Sequence, residues 1–281
     1  MNHTIYINSS NVQANNVNKN VFEYTLPTSA NFVEGDTVSL TSVNMYNSFF
    51  NIRASIGNNQ YSYVWPADDV TYYVTIDDGF HDIEGLNYYF QYEFIKNGHY
   101  MVDENGDNVY FMELLLNPSA YGTNIKFTPL PTAVEAVPLN WSIPDGEVWT
   151  LPVTAKTLTL TFATGFGLLF GYEAGTYPSV TTDFITTSST LTGAIQQVST
   201  LIFTTNIVNN SYSNPSNTLA SMNLNSSYGN IMTFMPNYNI EQSIFPGNYR
   251  KIVVTVHDQN FNPVTINDLD SLIIALTIRT K

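Results

Sequence analysis

The sequence lacks cysteine and is poor in positive charge. Its 281 residues include no Cys, and 9 Lys and Arg residues stand against 23 Asp and Glu residues, which gives a formal net charge of −14. The absence of cysteine excludes a disulfide framework, a zinc–thiolate site and a cysteine nucleophile. The negative charge disfavours direct binding of nucleic acid, because a polyanion would be repelled by most of the surface.

Long apolar runs are missing as well. The first residues, MNHTIYINSSNVQANN, have neither a basic region nor a long apolar core, and no later run approaches the roughly 18 apolar residues that a membrane span requires. We therefore expect a protein without a membrane span, made in the cytosol and not secreted.

Short segments with an apolar residue at every second position make up most of the chain. In KIVVTVH, Ile252, Val254 and Val256 alternate with residues of the opposite face, which is the pattern of a half-buried strand. The segments predicted as strands are 4–8, 21–27, 36–46, 69–77, 108–116, 124–130, 156–162, 199–208, 230–236, 251–257 and 271–279. Many short strands without regularly alternating helices predict an all-β protein, built as an antiparallel sandwich or barrel.

One segment, 78–98, has helical spacing instead. Its apolar residues with this spacing are Ile83, Leu86, Phe90 and Phe94. Asp82 is a suitable N-cap, and Lys96 followed by Asn97 and Gly98 is a suitable stop. The sequence therefore predicts one amphipathic helix.

The adjacent pair His257 and Asp258 has the composition of a catalytic pair. The pair stands where a predicted strand ends, and the following residues, QNFNP, favour a turn. Neighbouring sequence offers no nucleophile and no metal ligand to complete a site. We interpret both residues as structural.

A group of acidic residues and a histidine at the start of the predicted helix resembles a metal site. The group consists of Asp77, Asp78, His81, Asp82 and Glu84. Helix capping and an Asp-Gly turn explain every member, so no metal is predicted.

Two further motifs fail in their details. DENGDNVYFMEL begins like a calcium loop but has Asn108 in place of the required glycine and Leu114 in place of the final acid, so a hairpin turn is predicted. GFGLLFG, residues 165–171, has the wrong glycine spacing for a dinucleotide loop and is interpreted as core or interface. With no catalytic, cofactor-binding or metal-binding residue predicted, the protein is not expected to be an enzyme.

Aromatic residues outnumber charged ones. Aromatics make up 14% of the chain, with 19 Tyr and 17 Phe, and charged residues only 11%. Interface cores favour Tyr and Phe and avoid Lys, which points to a subunit of an assembly. The alternative is that the aromatics fill an unusually large core.

The order of several blocks carries a family resemblance. NVFEYTLP, YYVTIDDGFHDIEGLNYYFQY, NPSAYGTNIKFTPLP, LLFGYEAGTYP and FPGNYRKIVVTVHDQNFNPVTINDLDSLIIALTI follow one another along most of the chain. Together they resemble the minor capsid, or penton, proteins of virophages and related polinton-type elements.

The resemblance implies a fold and a role. It implies a single jelly roll over 1–281, with an inserted β-rich subdomain in roughly 78–178 that contains the helix. The implied role is a homopentamer that closes the fivefold vertices of an icosahedral virion built from a separate major capsid protein. It gives His257 and Asp258 no catalytic role and requires no cofactor.

The residues leave a second function open. Exposed tyrosines on a β-sandwich can stack on sugar rings, which suits a virion-surface module that binds a host receptor or a glycan.

Overall fold

The chain folds as two compact units. The computed structural model describes residues 1–120, 122–163, 165–181, 185–189, 193 and 195–281. The first unit comprises Met1–Phe50 and Val198–Lys281, and the second unit, Asn51–Gln197, interrupts it in chain order. Tyr121, which belongs to one of the quoted blocks, lies outside the described residues.

The described part of the chain is mostly antiparallel strand, which confirms the all-β prediction. In chain order, β1 to β18 are Asn2–Asn8, Val21–Phe32, Thr37–Tyr46, Gln60–Val64, Thr71–Thr75, Met101–Val102, Asn108–Val109, Met112–Asn117, Gly122–Phe127, Thr159–Phe162, Gly175–Tyr177, Ile185–Ser188, Thr200–Thr205, Thr218–Asn223, Ile231–Phe234, Gln242–Ser243, Gly247–His257 and Ile273–Arg279. The helices α1 and α2 are Ile83–Lys96 and Ala133–Leu139.

The first unit is a jelly-roll sandwich of two sheets. One sheet has the order β1-β18-β3-β15, with β16 also paired to β3, and the other has the order β14-β13-β17-β2. The first three strands alternate between the sheets, β13 and β14 form a hairpin within one of them, and the last strands of the unit return to pair with the first ones, as in a jelly roll.

The inward faces of both sheets share one apolar core. Phe22, Leu40, Phe203, Val254 and Ile274, drawn from strands of both sheets, belong to this core. Alternation of inward and outward residues along each strand explains why the period of two was visible in the sequence.

The second unit has its own core and two larger sheets. Their orders are β11-β10-β4-β5 and β12-β9-β8, beside a small hairpin of β6 and β7. Its core is rich in aromatic side chains, including Tyr63, Trp65, Phe90 and Phe166. The first sheet joins distant parts of the unit, because β4 pairs with β5 on one side and with β10 on the other.

The predicted helix is confirmed as α1. The Asp82 carboxylate accepts a hydrogen bond from the Gly85 amide at 2.7 Å, and Leu86, Phe90 and Phe94 are buried. Gly98, with φ of +68°, follows the helix end, a conformation that glycine adopts without strain.

The sequence prediction did not include α2, and it predicted one strand where the structure has two. Thr132 and Glu135 form a reciprocal capping box at the start of α2, a signal that was present in the sequence. The predicted strand 108–116 is two strands, β7 and β8, because the chain changes partner from β6 to β9 between them.

Candidate assembly surface

His257 and Asp258 occupy structural positions at the end of β17. The His257 Nε2 atom lies 3.2 Å from the Thr204 hydroxyl, and burial lowers the pKa of the imidazole. The Asp258 carboxylate accepts hydrogen bonds from the amides of Asn260 at 2.8 Å and Asn262 at 2.9 Å. The acid therefore organises the turn that follows β17.

The acidic residues near α1 make separate local contacts. Asp78 accepts from the Ala54 amide at 2.6 Å, whereas Asp82 caps α1. The backbone of His81 exchanges hydrogen bonds with the Asn51 side chain, and burial lowers the pKa of its imidazole. Across the residues that the structure describes, no group of three or more His, Cys, Asp or Glu side chains could hold a metal ion.

The two rejected motifs have the structures expected for a turn and a core segment. Asp103 accepts from the amides of Asn105 and Asp107 in the loop between β6 and β7, and these bonds lower the pKa of its carboxyl group. In the 165–171 segment, Phe166 and Phe170 are fully buried.

A buried histidine, His99, was not singled out in the sequence. Its ring is stacked on Trp65 at a centroid distance of 4.7 Å, and its Nδ1 atom lies 2.9 Å from the Tyr63 hydroxyl. Burial lowers its pKa to about 4. Because the residue is only 3% exposed, the cluster is part of the second unit's core and not an open site.

Charge is divided unequally between the two units. The second unit contains 16 of the 23 acidic residues and 4 of the 9 basic ones, whereas the first contains 7 acidic and 5 basic residues. The formal charge of the first unit is therefore close to balance, and nearly all of the negative charge belongs to the second. The first unit can approach another copy with little repulsion.

A loop with exposed apolar side chains lies on this nearly neutral unit. Phe234 of β15 pairs with Val43, and Gln242 of β16 pairs with Val38, so both ends of the loop are fixed to β3. Residues 235–241 lie opposite only the short stretch 39–42 of β3, and the excess chain must project from the sheet.

Further contacts hold the segment after β16. The Ile244 amide donates to the Asp36 carbonyl at 3.0 Å, and the Phe245 amide donates to the Ile207 carbonyl at 2.8 Å. Glu241 forms an ion pair with Arg279 at 3.3 Å. A segment fixed in this way loses little conformational entropy when a partner binds.

The side chains that this segment presents to solvent are those that interfaces favour. Met235, Tyr238, Ile240 and Phe245 are 72%, 86%, 67% and 55% exposed. Tyr, Phe and Met are enriched in interface cores. We call these four residues the assembly surface. The sequence prediction placed Met235 in a strand and did not single out the other three, because the loop has no apolar period.

A hollow of about 220 Å³ adjoins the assembly surface. Pro236 and Ile240 line one side, and Leu40, Leu219 and Phe234 are among its other lining residues. A small apolar hollow can accept an anchoring side chain from a partner.

Comparisons with known proteins place the chain near two solved structures. No protein-family model and no curated protein matches the sequence. The mavirus penton protein is 9% identical, with a TM-score of 0.43, and the alignment covers 100% of this chain and 98% of that one. A chain of the Sputnik virophage structure is 12% identical, with a TM-score of 0.40 and coverage of 99% and 98%.

One of these structures is a penton protein and the other comes from a virophage. With identities and TM-scores this low, the likeness by itself assigns no function to the chain. The part of the chain that the structure describes contains no helix long and apolar enough to cross a membrane.

Proposed function

We propose that the protein is a penton, or minor capsid, subunit of a virion. Its first unit assembles with four other copies into a homopentamer, which closes the fivefold vertices of an icosahedral shell made of a separate major capsid protein. The subunit is made in the cytoplasm of the host cell. The observation that carries the proposal is the presence of a fixed apolar surface on a jelly-roll unit of nearly balanced charge.

The charge distribution supports this choice of unit. Bringing like-charged surfaces together costs electrostatic energy, and interface cores are depleted of charged residues. Contacts made by the first unit avoid most of the 16 acidic residues of the second. Repulsion between the second units then limits association to the surfaces that the first unit provides.

The geometry of a closed ring adds one constraint. In a pentamer each contact is heterologous, so the assembly surface of one copy must meet a different surface on its neighbour. An obligate contact buries on the order of 2,000 Å² or more, so it extends beyond the four side chains of the assembly surface.

The mass of the protein in solution tests the oligomeric state. Light scattering after size exclusion is expected to give a species near five times 31.5 kDa. Raising the salt concentration from about 50 mM to about 500 mM should preserve or favour this species, because screening weakens repulsion between acidic units. A chain that stays monomeric at every concentration and salt level contradicts the proposed homopentamer.

A matched pair of variants tests the surface. Tyr238→Asp places a charge in the assembly surface, whereas Tyr73→Asp places the same charge at an equally exposed tyrosine of the second unit; both are 86% exposed. Tyr238→Asp should shift the mass toward the monomer, and Tyr73→Asp should not. Equal behaviour of the two variants would show that contacts form elsewhere.

A further inference from the structure

An open groove lies on the second unit between α1 and β8. Its volume is about 720 Å³, which is within the range of binding clefts. Its lining residues include Ile83, Tyr88, Gln91, Leu115, Leu116 and Ile195. None of the lining residues belongs to the assembly surface.

One wall of the groove is an edge strand of a sheet. In the order β12-β9-β8, β8 pairs with β9 alone among the strands that the structure describes. The Leu114 amide donates to the Asn87 side chain of α1 at 2.8 Å, which shows that the backbone of residue 114 faces away from β9. Because successive residues alternate, the backbone of Leu116 faces the same way. The Leu114 carbonyl and both backbone groups of Leu116 are therefore oriented to bond an added strand.

The other wall is formed by α1. Its lining residues include Ile83 and the 61% exposed Tyr88, beside the polar Asn87 and Gln91. The opposite face of α1 already packs into the core through Leu86 and Phe90. Tyr88 therefore leaves aromatic surface exposed opposite Leu115 and Leu116, which a partner can bury.

The electrostatics of the groove select the charge of its occupant. Asp82 and Glu84 line one end, and the described lining residues include no Lys, Arg or His. The unit around the groove has 16 acidic residues and 4 basic ones. The acidic second unit of another copy would be repelled, whereas a basic segment would be attracted.

We infer that the groove binds an extended segment of a different protein. The segment adds a strand to the edge of β8, inserts apolar side chains at alternate positions between α1 and β8, and places Lys or Arg beside Glu84.

Peptide binding to the full-length protein tests the inference. The probes are fluorescent peptides of about ten residues in which Leu and Ser alternate. One peptide has two lysines at its N-terminus and another has two lysines at its C-terminus. Each has a matched peptide with two glutamates in place of the lysines. Fluorescence anisotropy should show saturable binding of a lysine peptide below about 1 mM and weaker binding of its glutamate counterpart. If no peptide of the set saturates, the groove does not bind strands and the inference fails.

Two variants locate the binding. Leu116→Lys alters the groove and Leu168→Lys is the control, since Leu168 is also exposed and lies outside the groove lining. Leu116→Lys should weaken binding about tenfold or more, because it removes an apolar contact and repels the lysines. Glu84→Lys should reverse the preference between the lysine and glutamate peptides. An affinity that neither Leu116→Lys nor Glu84→Lys changes would overturn the inference.

The backbone of the peptide provides an independent check. Only every second residue of an added strand bonds to the edge, so methylating the amide nitrogens of one alternate set should abolish binding, and methylating the other set should not. Equal effects of the two sets would exclude strand addition. The peptides and variants should leave the mass in solution unchanged, which separates this result from the test of the homopentamer.

Discussion

The buried His99 predicts that the second unit loses stability in mild acid. An unfolded histidine has a pKa of 6.5, whereas burial lowers the pKa of His99 to about 4, and the charge of Asp68 opposes this shift only in part. Between these two values the unfolded chain binds more protons than the folded chain, so stability rises with pH in this window. The contribution is complete above the unfolded pKa and is lost as the pH falls toward 4.

The pKa values give the size of the effect. A difference of roughly 2.5 pH units corresponds to about 3 kcal/mol over the whole window, and about 2 kcal/mol of this is lost between pH 7 and pH 5. The hydrogen bonds around His99 explain why the folded protein favours the neutral ring. The Asn97 amide donates to the Tyr63 hydroxyl at 3.0 Å, which leaves that hydroxyl to donate to the neutral His99 ring. A protonated ring cannot accept this bond.

Tryptophan fluorescence during urea unfolding measures the effect selectively. All 3 tryptophans of the chain, Trp65, Trp141 and Trp149, belong to the second unit. The free energy of unfolding of this unit should fall by about 2 kcal/mol from pH 7 to pH 5 in the unmodified protein. In His99→Phe it should fall much less, with the residual slope arising from His81, whose pKa burial also lowers.

The slope with pH is the quantity to compare, because His99→Phe also changes packing and therefore the stability at every pH. His3→Phe is the control, since His3 is an exposed residue of the first unit. If His99→Phe and the unmodified protein lose the same free energy between pH 7 and pH 5, then His99 is not the source of the acid sensitivity.

Two further predictions concern single contacts. Gly167→Ala would place a Cβ atom 2.7 Å from the Tyr172 carbonyl oxygen, so it should destabilise the second unit by about 2 kcal/mol in urea unfolding. Gly175→Ala, whose nearest atom would be 3.8 Å away, should change stability little, and a similar loss in both would contradict the packing. Asp258→Ala should cost the first unit about 1 kcal/mol, measured by circular dichroism, whereas Asp258→Asn should retain most stability because an amide oxygen can accept the same bonds. If Asp258→Ala leaves the stability of the first unit unchanged, the turn does not need this acceptor.

The fold class could be predicted because most strands are half-buried and regular. Where a bulge interrupts the pairing, the pattern disappears. In β14, Leu219 and Met222 are three residues apart, yet both are buried, since Thr218 and Ala220 pair with consecutive residues of β13 and leave Leu219 without a partner. A search for a period of two cannot find such a strand.

The candidate surface was harder to predict than the fold. Tyr63 and Tyr73 lie on paired strands with similar local sequence, but Tyr63 is fully buried and Tyr73 is almost fully exposed. Which apolar residue faces the core depends on partners distant in the chain. The sequence could therefore indicate an aromatic-rich assembly protein, but it could not separate Tyr238 from the tyrosines that fill the core.

The order of the two units along the chain has a consequence for synthesis. Asn2 in β1 pairs with Arg279 in β18, and β2 pairs with β17, so the jelly roll joins strands that the ribosome makes before and after the whole second unit. The second unit is continuous and can fold as soon as it has emerged. Strands β1 to β3 stay unpaired until the later strands have been made. Contacts between residues so distant in sequence also form slowly. The assembly surface follows the second unit in the chain, so it forms only when β15 and β16 have been made and have paired with β3.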